Sequence, residues 1–382
     1  MNQAPLAEGR GDTKAMEAKT SIGRRTWNWL DLRYKLGPLF EALLHVEIPI
    51  SARTYYLGGI TLFFFLVQAT TGILLALYYQ PTPEAAYKSI LFIMNQVNFG
   101  WLIRSIHSWG ANLMILFCVL HLLRVFFQAA YKAPREVTWV VGIVLLVVTL
   151  GFGFTGYLLP WDQRAFWATT VGSEIAGAVP VVGGKLLIFL RSGGEVTART
   201  LSRFFGTHVL VLPLSLVGAL LIHIVLVHQQ GLADPKRKVA DPNEVALRDA
   251  SPSGSEPETK RKLLPFFPNY ILDEVIAWYV MLAVLIVLAS LFPAGLEQPA
   301  NALQTPAHTK PEWYFLFLYQ WLKLVPRLLG IALPIVGGLV LVLLPFFDRN
   351  PYIAASRRPL AIGIATITII VIVAFTLWGW RS

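Results

Sequence analysis

The sequence predicts an all-α polytopic membrane protein with seven transmembrane helices, a four-helix bundle followed by a three-helix unit. Three observations predict it. The 382 residues are 55% hydrophobic and only 14% charged, with a mean hydropathy of +0.58, a balance outside the soluble range. Seven stretches free of Asp, Glu, Lys and Arg fall at 57–79, 105–123, 138–161, within 204–233, and at 275–296, 328–347 and 359–380. Each is close to the roughly 20 apolar residues that cross a bilayer as a helix. Two of these stretches carry a pair of histidines at nearly the same interval.

Residues 1–26 are polar and mixed in charge, and lack the apolar run of a cleavable signal. They read as a flexible cytoplasmic tail, and WNWLDLRYKLGPLFEALLHVEIP after it as an interfacial amphipathic segment. Residues 1–56 therefore form tail and anchor, and His45 within them reads as structural. The first four spans make one unit over 57–228. The stretch 229–268, rich in Pro, Ser and charge, reads as a cytoplasmic linker, and 269–382 as the three-helix unit. Two connections are too long for simple turns. The 162–203 connection has an apolar run that reads as surface helices capping the bundle, and TKPEWYFLFLYQWLK is too short to cross the membrane.

With the N-terminus inside, 21 of the 32 Lys and Arg residues fall on the inner side, as the positive-inside rule requires. The net charge of +10 thus follows membrane topology and points to lipid, with no nucleic acid. The expected location is a bacterial plasma (inner) membrane, multi-pass, with the N-terminus cytoplasmic. The single cysteine, Cys118, excludes disulfides, iron–sulfur clusters and a two-cysteine haem attachment within this chain; it reads as a small core residue.

RSIHSWGANLMILFCVLHLLR carries His107 and His121, 14 residues apart, and a later span carries His208 and His223, 15 apart. Fourteen residues bring a helix back to one face, roughly 21 Å further along. A lone intramembrane histidine is often only hydrogen-bonded to a neighbour, yet burying ionisable groups in lipid is costly and marks function. Matched pairs on two helices running the same way fit bis-histidine ligation of metal or haem, His107 with His208 on the outer side and His121 with His223 on the inner. Gly58 and Gly72, and Gly142 and Gly156, repeat the 14-residue interval. They offer clearance for a porphyrin or ordinary small-residue helix packing. Arg104, Arg124 and Arg203 stand three to five residues from the histidines. They read either as propionate partners or as snorkelling, topology-setting cations.

GWLIRSIH, HLLR, PREVTWVVG, GFTGYLLPWDQ, LSRFFGTH and PEWYF together resemble cytochrome b of the Rieske/cytochrome b complexes, over about residues 27–360. The seven spans and the 15-residue interval resemble the plastid and cyanobacterial form, here fused into one chain as in the respiratory form. The resemblance implies two non-covalent haem b groups and a quinol:cytochrome c reductase. One quinol electron would go to a Rieske iron–sulfur subunit. The other would cross the outer and then the inner haem to reduce quinone inside, building a proton gradient. It implies a cytochrome c-type partner and a homodimeric complex.

By the same resemblance Pro311, Glu312, Trp313 and Tyr314 form the quinol-oxidising motif, with Glu312 accepting a quinol proton and releasing it outward. Tyr157, Tyr319 and the Trp161–Phe166 stretch line that pocket. His228 is a candidate inner quinone ligand, with Asp273 or Glu274 as its carboxylate partner, and His308 is unspecialised. Tyr56 stands where the plastid form has the cysteine that holds an additional haem, so no covalent third haem is expected. Two other classes compete. A di-haem b anchor relaying electrons between a peripheral dehydrogenase and quinone has no use for PEWY or capping loops, and a transporter would carry no haem spectrum.

Overall fold

The computed structural model describes residues 22–35, 37, 46–50, 56–233, 263–306 and 310–382. His45, His308 and most of the predicted linker (234–262) lie outside them. Among the described residues seven helices are long and apolar enough to cross a membrane, and they coincide with the seven predicted spans.

A short helix, α1 (Ile22–Tyr34), begins inside the stretch read as a flexible tail. Strand β1 (Glu47–Pro49) follows, then the first span, α2 (Leu57–Ala76). A short helix, α3 (Ala86–Asn95), buries Ala86, Ile90 and Ile93 at helical spacing. The second and third spans are α4 (Gly100–Phe127) and α5 (Glu136–Leu158). The predicted capping helices are α6 (Gln163–Gly177) and α7 (Gly183–Arg191). Asp162 starts α6, its side chain accepting the Ala165 amide at 2.9 Å, the bond an N-cap carboxylate supplies.

The fourth span, α8 (Ala198–Gln230), contains one π turn at Thr207–Val211. Strand β2 (Leu263–Pro265) pairs antiparallel with β1, which ties the two units together on the linker side. The remaining helices are α9 (Ile271–Leu291), the short α10 (Trp313–Leu324), and the spans α11 (Arg327–Phe347) and α12 (Pro359–Arg381). The end of the bundle carrying α6, α7 and α10 is called the cap side below.

Helix α2 packs on α4, and α5 on α8, giving the bundle its two walls. Phe64, Met114, Leu216 and Leu285 meet in its core. Helix α11 packs on α5, where the Trp139 indole donates to the Leu341 carbonyl at 2.8 Å. A buried polar network fastens the turn after α4 to the turn before α12. Tyr131 donates to Asp348 at 2.5 Å, Lys132 pairs with Asp348 at 3.0 Å, and Arg358 donates to the Tyr131 hydroxyl at 2.7 Å.

Candidate functional site

The four histidines stand at two levels. On the cap-side level His107 and His208 face each other with ring centroids 6.5 Å apart. Two metal–nitrogen bonds of about 2 Å each plus the half-widths of two imidazoles span about that distance. His121 lies 14 residues further along α4 and interacts electrostatically with His223.

The π turn explains the unequal intervals. One residue too many for 14-residue register is absorbed at Thr207–Val211, which begins beside His208, so both α8 histidines present themselves to α4. Single π turns inside α-helices often mark functional positions for this reason.

Each glycine of the repeated interval faces one histidine. A Cβ at Gly72 would stand 3.2 Å from Cε1 of His107, and at Gly58 3.3 Å from Cε1 of His121. At Gly156 it would stand 2.6 Å from Cε1 of His208, and at Gly142 3.5 Å from Cε1 of His223. The sequence reading offered these glycines as clearance for a porphyrin or as helix packing. In the structure they let an imidazole lie against the neighbouring backbone.

Two threonines absent from the sequence reading complete the cap-side level. Thr71 Oγ1 lies 2.9 Å from His107 Nδ1, and Thr155 Oγ1 lies 3.0 Å from His208 Nδ1. Each hydroxyl donates to the carbonyl four residues back, Val67 at 2.7 Å and Gly151 at 2.8 Å. Its oxygen is then left to accept the imidazole Nδ1–H. That fixes the tautomer and leaves Nε2 as the bare ligand, the arrangement metal-bound histidines use. The legible signal was the Thr-Gly dipeptide at 71–72 and again at 155–156. On the other level, His223 Nδ1 is buried, with the Thr138 backbone beside it but no hydrogen bond of ordinary geometry.

The arginines are placed differently from one another. Arg104 donates to the carbonyls of Ala294 at 2.5 Å and Gly295 at 2.8 Å, tying α4 to the loop before α10. Arg124 donates to Gln128 at 3.3 Å. Arg203 donates to the Phe189 carbonyl and stands over the Phe189 ring.

The PEWY loop is hung on the cap-side end of α4. Ser105 accepts the Ala294 amide at 3.0 Å, the Trp109 indole donates to Phe292 at 2.7 Å, and Trp313 donates to Asn112 at 2.8 Å. The α5–α6 corner holds the same loop through Gln163, whose amide donates to Gln298 at 2.8 Å. Pro311 precedes Glu312, and Glu312 occupies the N-cap of α10 with its carboxylate making no capping bond. Burial holds that carboxyl above the usual carboxylate range, while Arg164 and Tyr157 act in the other direction.

The Tyr157 hydroxyl is buried and lacks a hydrogen bond of ordinary geometry. The Tyr314 hydroxyl packs where Gly153 has no side chain, 2.8 Å from the position of a Cβ there. Burial raises the Tyr314 phenol, with Glu312 adding to it. Glu312, Tyr157, Tyr314 and Arg164 thus share one pocket beside the His107/His208 level. Trp161 and Phe166 stack edge-on nearby, centroids 5.6 Å apart. Tyr319 lies two turns along α10 with Lys323 over its ring at 4.2 Å, outside that group.

On the linker side, Tyr56 donates to Asp273 at 3.0 Å and packs against the Tyr270 ring at a tilt, centroids 5.5 Å apart. Glu274 lies against Gly59, where a Cβ would stand 2.4 Å from its Oε1. Both carboxylates therefore sit beside the Gly58/His121 level. His228 is exposed near the end of α8.

A seven-span bundle presenting opposed histidines at two depths is that of a membrane-embedded haem protein. The Cytochrome b/b6/petB family model matches residues 45–231, and Cytochrome b(C-terminal)/b6/petD matches 299–382. A cytochrome bc complex cytochrome b subunit of Chlorobaculum thiosulfatiphilum is 42% identical over 331 residues, covering 84% of this chain and 73% of that protein. Cytochrome b6 of Heliobacterium mobile is 49% identical over 213 residues, 54% of this chain and 99% of that one. A solved structure described as hyperthermophilic respiratory Complex III superposes with a TM-score of 0.79 at 31% identity, covering 92% of this chain and 90% of that one. The chain belongs to the cytochrome b family, as a fused subunit of a bc-type complex. It is a haem-binding, multi-pass membrane protein of electron transport.

Proposed function

We propose that this subunit works in a quinol:cytochrome c oxidoreductase, with a Rieske iron–sulfur subunit and a cytochrome c-type acceptor as partners in a homodimeric complex. Quinol is oxidised on the cap side, its electrons parting to two acceptors, and quinone is reduced on the linker side, so that a proton gradient builds. The cap side is the outer face, and the N-terminus is cytoplasmic in a bacterial plasma membrane. Residues 57–228 form the di-haem unit, 229–268 the linker and 269–382 the PEWY-bearing unit.

Two haem b groups, held by His107 with His208 and by His121 with His223, supply one-electron carriers at two depths. Thr71 and Thr155 orient the outer imidazoles, and Gly58, Gly72, Gly142 and Gly156 give all four rings their place. Arg124 and Arg203 are the propionate candidates; Arg104 would have to exchange two carbonyls to join them. Tyr56, hydrogen-bonded to Asp273, stands in place of a haem-attaching cysteine, so no covalent third haem is proposed. Asp273 or Glu274 serves the inner quinone, with His228 as a candidate ligand.

The observation that carries this reading is Glu312, a half-buried carboxylate without a capping role, beside the His107/His208 level. Burial favours its neutral form, which suits a group that takes a proton from quinol and gives it up again. Pro311, Trp313 and Tyr314 fix its place, Tyr157 faces it, and Tyr319 lines the approach. A di-haem anchor for a peripheral dehydrogenase would dispense with this carboxylate. In the purified complex, Glu312→Gln is expected to slow quinol-driven haem reduction at least tenfold with both haems retained. Full activity in that variant, or purification without a Rieske subunit, would overturn the assignment.

A further inference from the structure

Arg164, in the first turn of α6, pairs with Glu297 at 2.5 Å, and the two side chains are 53% and 41% exposed. Their backbones are locked. Asp162, buried at the head of α6, accepts the Glu297 amide at 3.2 Å, and the Glu297 carbonyl accepts from Tyr87 at 2.9 Å. The mobile parts of this pair are therefore the two side chains. Arg164 also acts on the buried pocket behind it, on Tyr157 and on Glu312. Asp162 and Tyr314 are the other titratable groups facing that pocket.

We propose that Arg164 is a positioning residue shared between two carboxylates, held by Glu297 while Glu312 carries a quinol-derived proton and drawn to Glu312 once that proton has left. The inference rests on Glu312 as the proton acceptor. When Glu312 is neutral, Glu297 is the better partner for the guanidinium. When Glu312 is ionised, its charge also attracts Arg164, and the pocket gains a cation that opposes re-protonation from solvent. Release is thereby given a direction, and no further co-reactant is needed.

Opposite pH shifts test this. Quinol oxidation needs ionised Glu312, so the rate falls on the acid side. Arg164→Met removes the cation and should move that acid limb to higher pH. Glu297→Gln removes the competing anion and should move it to lower pH. Each shift is expected to be about half a pH unit, since solvent screens the pair, and Arg164→Lys should restore most of it. The readout is single-turnover reduction by a short-chain quinol analogue, with haem content as the folding control. The carboxyl C=O band in redox-difference infrared spectra reports the same protonation without turnover. Unchanged limbs, or limbs moving the same way in both variants, would overturn the proposal while leaving Glu312 in place. A Glu312→Gln variant of full activity would remove its foundation as well.

Discussion

Gly156 and His208 are packed so closely that a Cβ at position 156 would stand 2.6 Å from the imidazole Cε1. Real Cβ atoms do not approach that near, so the ring or the helix would have to move. The equivalent approach of Gly142 to His223 is 3.5 Å, ordinary van der Waals contact. Haem retention should therefore respond unequally to the same change. Gly156→Ala is expected to lose or weaken the outer haem, and Gly142→Ala to keep both. Haem-to-protein ratio and reduced-minus-oxidised spectra of the two variants check this. Equal loss in both would contradict it.

The threonine anchors act on the outer level. Accepting the Nδ1–H of an imidazole raises its basicity as a ligand, which favours the oxidised metal. Thr155→Val removes that acceptor from His208. It should raise the outer midpoint potential by some tens of millivolts, since a tenfold change in a one-electron equilibrium is about 59 mV. The inner potential should stay put, and a titration in which both haems move together would refute the assignment.

Asp348 stands between Lys132 and Arg358, which are 5% and 1% exposed. Burial pushes its carboxyl up, but bonds from Tyr131 and Lys132 outweigh that and hold it below the ordinary value. Breaking one partner of a buried ion pair costs about 3–5 kcal/mol. Asp348→Asn should accordingly lower thermal stability by several degrees in detergent. The sign with pH follows from the depressed value. The stabilisation is present above the unfolded carboxylate value of about 4 and is lost as pH falls through the lower folded one. Thermal unfolding followed between about pH 3 and 7 would show a slope in the wild type that Asp348→Asn lacks.

Glu312 has the opposite sign of perturbation. Its carboxyl is raised by burial, so it stays protonated to higher pH than a solvated glutamate. Quinol oxidation should therefore climb with pH through a value above the usual carboxylate range. An acid limb at an ordinary glutamate value would mean that the pocket is wetter than its packing implies.

The spans and the histidine levels were legible in the sequence because burying charge in lipid is so costly that uncharged runs and intramembrane histidines stand out. The 15-residue interval between His208 and His223 was visible, but the π turn that corrects it was not, since a backbone insertion leaves no residue-type mark. Thr71 and Thr155 were missed because a threonine bonded to its own helix is common, and only the facing imidazole gives it meaning. Spacing alone left Arg104 as a propionate partner or a topology-setting cation; a long side chain chooses among acceptors that only the folded loop at Ala294 and Gly295 brings near. The β1–β2 pair joins segments more than 200 residues apart, and no local pattern of three residues announces that.

The central claim is that four imidazoles hold two b-type haems one above the other. Redox titration of the purified complex, with haem counted per chain and any covalent haem detected after denaturation, tests it most directly. The account predicts two extractable haems with two separable potentials, and loss of one when His107 or His208 is replaced. A single haem per chain, or a third that resists extraction, would contradict it.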